Sequence, residues 1–307
     1  MTDEPCPTRG SRQPAPAAAP LDPRPTLDRR AVLRRLGQTA IAAMGLRILE
    51  APRRAGASDA VHPVSAYPAD VATAWFDYAL TLIQHTAGFS PPVASRALGY
   101  AGVTLYEALV PGMPGYRSLA GQLNALTPLL PPNDVACHWP TVANTALAAI
   151  LRSLFPTAPP ADASVGSALE AAFAAQFRAS VPPGRYRRSV VQGLAVAEQI
   201  FEWSRSDGGD AAYLHPFPPY TPPVGPGLWV PTGSGPALQP FRGDNRPFAL
   251  AAADDCEPGA PTPYSESAGS ACHTEALEVH DAVQLIQAGL APEHQAIALF
   301  WADGTAP

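Results

Sequence analysis

Between Asp70 and Arg205 apolar residues recur at helical spacing in five consecutive blocks, each bounded by proline, glycine or a capping residue. In the first block Asp70 is placed to cap a helix. Val71, Ala74, Trp75, Tyr78, Ala79, Leu82 and Ile83 form its buried face, and Gly88 ends it. Ser90 caps the second, with Pro91 at the first helical position, where a missing N–H is no loss, and Pro111-Gly112 stops it near Val110. The third runs from about Pro140 to Phe155, with Val142, Ala146, Leu147, Ile150, Leu151 and Leu154 inward. The fourth spans about Asp162 to Ala179, on Val165, Leu169, Phe173 and Phe177. The fifth runs from about Tyr186 to Arg205, on a stripe of Val190, Leu194, Ala197 and Phe201. No β-alternation persists beyond four residues. The expected fold class is therefore all-α, a multi-helix bundle.

Residues 207–264 break the pattern. Proline runs throughout, so no long helix fits. The segment also carries Tyr213, Phe217, Tyr220, Trp229, Phe241, Phe248 and Tyr264, more aromatics than a disordered linker would hold. It reads as a long ordered crossover loop laid over the helices, with a short strand near Leu228–Val230. Two further helices are expected, about Ser270–Gln287 and Pro292–Ala302. The last is apolar and followed at once by the terminus, so the bundle is expected to be incomplete at its C-terminal end.

The head is different again. Residues 1–27 are rich in Pro, Ala and Arg and read as disordered. A basic stretch with Arg29-Arg30, a short apolar run Leu36–Leu46 and the small residues Ala55-Gly56-Ala57 together describe a twin-arginine secretory signal. The expected organisation is a head and signal segment at 1–57 and one helical domain at 58–307. Localisation follows as periplasmic or secreted; a basic amphipathic helix in a cytoplasmic protein is the alternative. The apolar run is too short for a stable membrane span, and no other segment reaches about 18 unbroken apolar residues. A net charge of −6 argues against a nucleic-acid partner. All 20 basic residues are arginine, and the chain has no lysine. Of the four cysteines, Cys6, Cys137, Cys256 and Cys272, none forms a C-x-x-C pair; an exported chain admits one disulfide and one free thiol outside the head, with the pair left open.

Few residues present chemistry. No zinc-helix histidine pair, nucleophile elbow, phosphate-binding loop or dinucleotide fingerprint occurs. His273 and His280 are two turns apart, about 10 Å, too far for one ion. Asp254, Asp255 and Glu257 read as a solvated acidic turn, and Glu198 with Glu202 as a polar helix face. Arg242, Asp244, Asn245 and Arg246 are the candidate polar loop, either a fork for an anion or a structural set in which Asp244 and Arg246 pair. Arg96, Tyr100 and Glu107 are candidate helix anchors, pairing among themselves or with that loop.

Several stretches carry a resemblance. They are AWFDYAL (74–80), GFSPPVASRALGYAGVTLYEALVPGMPGYRSLAGQLN (88–124), HWPTVANTALA (138–148), VAEQIFEWSRSDGG (196–209), PPVGPGLWVPT (222–232) and ALQPFRGDNRPFAL (237–250), with EALEVHDAV and AIALFWAD (275–283, 296–303) extending them. In these the chain resembles the bacterial vanadium-dependent haloperoxidases of the phosphatidic-acid-phosphatase type 2 superfamily, N-terminal portion only. The resemblance implies an α-helical fold and, for a full-length relative, peroxidase or phosphatase chemistry at a vanadate or phosphate held by a Lys, two Arg and His. The K-x(n)-R-P, P-S-G-H and S-R-x(n)-H motifs that supply those groups are absent here. No catalytic, cofactor-binding or metal residue carries over. Vanadate is expected only in a full-length relative, and the implied partner is a missing C-terminal catalytic half. The expected function is thus the N-terminal scaffold part of an exported haloperoxidase-like or acid-phosphatase-like enzyme, inactive alone; a stand-alone exported helical binding module is the alternative.

Overall fold

The computed structural model describes residues 62–128, 137–214, 219–231 and 237–301. The signal segment, Cys6, His215 and Phe217 lie outside them. Among the described residues seven α-helices follow one another: α1 (Asp70–His85), α2 (Pro91–Leu109), α3 (Trp139–Leu154), α4 (Pro160–Ser180), α5 (Pro183–Arg205), α6 (Ala271–Gln287) and α7 (Pro292–Trp301). The all-α expectation holds, and no β-strand forms among the described residues. Leu228–Val230 is irregular backbone instead of the expected strand. An extended segment flanked by Gly227 and Pro231 has no neighbouring strand here to take up its N–H and C=O groups.

Helix α3 is the axis of the bundle. Twelve of its sixteen residues are buried, so it is enclosed on nearly every side. It packs against α1, α2, α4 and α5. Val142, Ala146, Leu147 and Ile150 have no exposed surface, and Leu151 and Leu154 only 2%. Each such aliphatic side chain contributes about 1.5–3 kcal/mol by leaving water.

Proline and glycine set the helix ends much as the residues require. Pro91, Pro140, Pro160 and Pro183 each stand in a first helical turn, where no intrahelical donor is lost. Gly88 has φ +87° and turns the chain after α1. Two caps differ from expectation. Asp70 is the first helical residue of α1, with Ala69 before it. Ser90 sits at the cap of α2 but its hydroxyl accepts no N–H; Pro92 removes one of the two donors a capping side chain takes, and that of Val93 is not engaged.

The stripe expected on α5 is rotated. Its buried face runs Ser189, Gly193, Val196, Ala197, Ile200, Trp203 and Ser204, while Leu194 is 47% exposed. The cause is the close approach of α5 to α3. A Cβ on Gly193 would lie 2.7 Å from the Val142 carbonyl oxygen and 2.9 Å from Thr145 Cβ. Only small residues fit that contact, so the bulky apolar residues Val190 and Leu194 are displaced to the edge. There they help line an open groove of about 540 Å³ with Asn144, Arg178 and Tyr186.

Helices α6 and α7 pack on each other and bury no residue. Leu277, Val279, Val283, Leu285, Ile297, Leu299, Phe300 and Trp301 are all exposed. No described helix is long and apolar enough to cross a membrane.

Candidate functional site

The turn that follows α5 brings the two sets of sequence candidates together. Arg96 and Tyr100 sit one turn apart on α2, and Arg96 Nε donates to the Tyr100 hydroxyl at 2.7 Å. Asp207 enters between them from the Ser206-Asp207-Gly208-Gly209 turn. Its Oδ1 accepts from the Tyr100 hydroxyl at 2.6 Å and from the Gly209 N–H at 2.9 Å. Its Oδ2 accepts from Arg96 Nη2 and, at 3.0 Å, from Arg246 Nη2. All four acceptor sites of the carboxylate are thus filled.

The crossover loop closes the cluster. Arg96 Nη2 also donates to the Arg246 carbonyl at 2.8 Å. Arg246 reaches Ser206 Oγ at 2.7 Å and the Trp203 carbonyl at 3.1 Å. Asn245 Nδ2 donates to the Asp207 carbonyl at 2.8 Å, and Arg242 Nη2 to the Pro92 carbonyl at 2.6 Å. Asn124 holds the next residues, donating to the carbonyls of Pro247 and Leu250 at 2.9 and 2.6 Å.

Aromatic rings wall the charges in. The Arg96 guanidinium lies 4.8 Å from the Phe248 ring centroid, and that of Arg246 lies 5.2 Å from Trp203. Tyr100, Trp203 and Phe248 pack mutually at 4.9–5.6 Å. The side chains of Arg96 and Asp207 are 9% and 2% exposed, so the pair is desolvated. Burial, and then the hydrogen bond to Asp207, push the Tyr100 phenol up, which keeps it a donor. Burial, and then the Arg96 charge, hold Arg242 below the usual guanidinium range. Gly209 is required sterically, since a Cβ there would stand 2.0 Å from the Tyr100 oxygen.

Not every candidate joins this cluster. Glu107 is eleven residues beyond Arg96, about 16 Å along the helix. It is 2% exposed and accepts from Ser118 Oγ and the Leu119 N–H at 2.8 and 2.6 Å, tying down the loop after α2. Asp244 is exposed in the turn Arg242–Asp244, and Asp207 takes the pairing with Arg246 that the sequence offered to Asp244. Asp207 itself was missed. In the sequence it reads as an ordinary turn aspartate; its signal was the two glycines behind it, which let helix and loop backbones close around the carboxylate.

The remaining titratable residues lie apart. Among the described residues no group of three His, Cys, Asp or Glu could hold a metal ion. Glu202 pairs with Arg205 on the surface, and Asp255 accepts the Ala252 N–H within its own turn. Cys137, Cys256 and Cys272 form no disulfide.

His138 is set in a second, apolar pocket. Its ring stands edge-on to Tyr67 at 5.3 Å and Phe177 at 5.1 Å, with Nδ1 2.8 Å from Thr141 Oγ1. Burial, and then the charge of Arg185, lower its pKa from 6.5 to about 4. The folded state therefore binds this proton more weakly than the unfolded chain. Its contribution to stability is complete above the unfolded value and is lost as pH falls from about 6.5 to about 4, up to roughly 3 kcal/mol. Urea melts across that window are expected to show this loss, and His138→Gln to flatten it. An unchanged slope in the variant would exclude His138 as the source.

No family model matches the chain, and no curated protein matches it. Among solved structures, the fold is similar to that described as the crystal structure of the first bacterial vanadium dependant iodoperoxidase. The TM-score is 0.57 and the identity 27%, over 73% of this chain and 50% of the other. The chain carries a haloperoxidase-like scaffold. It spans half the length of the iodoperoxidase structure it matches.

The residues of this cluster do not fit vanadate in the manner the resemblance implies. In the cluster two guanidiniums are turned onto Asp207, no histidine is among the hydrogen-bond partners, and the chain holds no lysine.

Proposed function

We propose that the chain is the N-terminal scaffold part of a vanadium-dependent haloperoxidase-like or acid-phosphatase-like enzyme, inactive by itself, and that a C-terminal catalytic half docks on it. The observation that carries this reading is the iodoperoxidase likeness, which runs over most of this chain but half of the other. The Arg96–Asp207–Arg246 cluster serves the scaffold: it locks α2, the turn after α5 and the crossover loop into one frame. The apolar side chains of α6 and α7 supply the surface that a further helical layer would cover.

The test is an assay of the purified chain for peroxide-dependent iodide oxidation and for phosphate-ester hydrolysis, each with and without vanadate. No turnover above buffer is expected, together with strong binding of a hydrophobic dye by α6 and α7. Vanadate-dependent turnover would overturn the scaffold reading. Weak dye binding with a cooperative melt and no turnover would instead favour a stand-alone helical binding module.

A further inference from the structure

Helices α4 and α5 are joined by Val181 and Pro182 alone, so they run antiparallel, and both pack on α3. The groove between them has an apolar lining. On the α5 side Val190, Val191 and Leu194 line it, the last two 65% and 47% exposed. On the α4 side stand Ala171 and Ala174, whose short side chains leave the 540 Å³ open.

The unbalanced charge of the groove lies at one end, where α4 hands over to α5. Arg178 lines it from the last turn of α4, and Arg187 from near the start of α5. The Arg178 guanidinium lies 5.2 Å from the Tyr186 ring centroid, which holds it at the rim. Among the described residues neither arginine forms an ion pair. Glu170, the carboxylate that lines the groove, is about two turns from Arg178 along α4 and is neutralised by Arg152. An excess of two positive charges remains at the Arg178 end.

The volume selects among occupants. From Arg187 to Leu194 the helix rises about 10 Å. A helix about 10–12 Å across and of that length would need roughly twice the volume of the groove. A volume of 540 Å³ is instead that of a small-molecule site. An apolar trough with two guanidiniums at one end suits one flexible apolar tail that carries one carboxylate.

We propose that the α4–α5 groove binds a free medium-chain alkyl carboxylate, its carboxylate at Arg178 and Arg187 and its tail against Val190, Val191 and Leu194. The site uses α3, α4 and α5 only and goes beyond the scaffold reading, so either can fail without the other.

Calorimetric titration of decanoate into the full chain, at neutral pH and below its micelle concentration, tests it. One saturable site is expected. Hexanoate is expected to bind more weakly, by about two- to fourfold per methylene removed. Decyltrimethylammonium, with the same tail and the opposite charge, is expected to bind roughly tenfold more weakly than decanoate. Helices α6 and α7 also expose apolar side chains, but they carry Glu275, Glu278, Asp281 and Glu293 and no arginine, so a tail bound there would prefer the cation. Arg178→Gln combined with Arg187→Gln is expected to weaken decanoate roughly tenfold while circular dichroism stays unchanged. Val191→Glu, at an exposed position that leaves both arginines in place, is expected to weaken it as well, and carries the test if the double variant does not fold. Absence of saturable decanoate binding would overturn the proposal, as would equal or tighter binding of the cation. Undiminished affinity in the folded variants would do the same.

Discussion

Replacing Asp207 by alanine is expected to destabilise the chain by about 3–5 kcal/mol, the largest effect of any polar substitution. The carboxylate is 2% exposed and neutralises two guanidiniums that cannot turn to water without moving Phe248 and Trp203. Its removal strands Arg96 and Arg246 as buried like charges and leaves the Tyr100 hydroxyl and Gly209 N–H without their acceptor. Asp207→Asn should cost less, because the amide oxygen still accepts while the charge is lost. Tyr100→Phe should cost about 1.5–3 kcal/mol, because the hydroxyl both donates to Asp207 Oδ1 and accepts from Arg96 Nε. Urea denaturation of the three variants gives the order directly. A loss below about 1 kcal/mol for Asp207→Ala would show that the cluster is solvated and does not lock the loop.

Trp75→Ala is expected to cost a similar amount, about 3–5 kcal/mol, by a different route. Trp75 is 2% exposed between α1 and α3, edge-on to Tyr78 at 5.7 Å, so truncation opens a cavity at the centre of the bundle. Its Nε1 also donates to Asn144 Oδ1 at 2.9 Å, and Asn144 in turn donates to the Glu170 carbonyl on α4 at 3.3 Å. Trp75→Phe separates the two contributions. It keeps most of the volume but leaves the buried amide oxygen without a donor, at about 1–3 kcal/mol. Denaturation midpoints with an unchanged denaturant slope would place both losses in the native state. A tryptophan-to-phenylalanine cost near zero would mean that Asn144 finds another donor.

The two sites differ in how far they could be read from the residues. Trp75 was legible: it falls on the apolar face of a helix whose period and ends are written locally. The α5 face was legible in kind and wrong in phase. Hydrophobicity pointed to Val190 and Leu194, while the tight contact with α3 selected Ser189 and Gly193. Pattern reading favours bulk, but a close helix crossing selects for its absence. The arginines and Tyr100 could be singled out as polar anchors, yet their common partner could not. Asp207 is 111 residues from Arg96 and 39 from Arg246, and no local spacing connects them. Glu107, on the same helix as Arg96, ended in a separate loop contact because three turns of helix put the two out of reach.

The residues by themselves determined the class of fold, the bounds of the described helices within a few positions, and the presence of an irregular aromatic crossover. Those properties are set by 3.6-residue periodicity, proline and glycine, which act over one or two turns. The tertiary structure decided which small residues face α3, which carboxylate gathers the arginines, and that α6 and α7 stand with their apolar side chains exposed. These depend on which surfaces meet, and a surface is assembled from residues far apart in the chain.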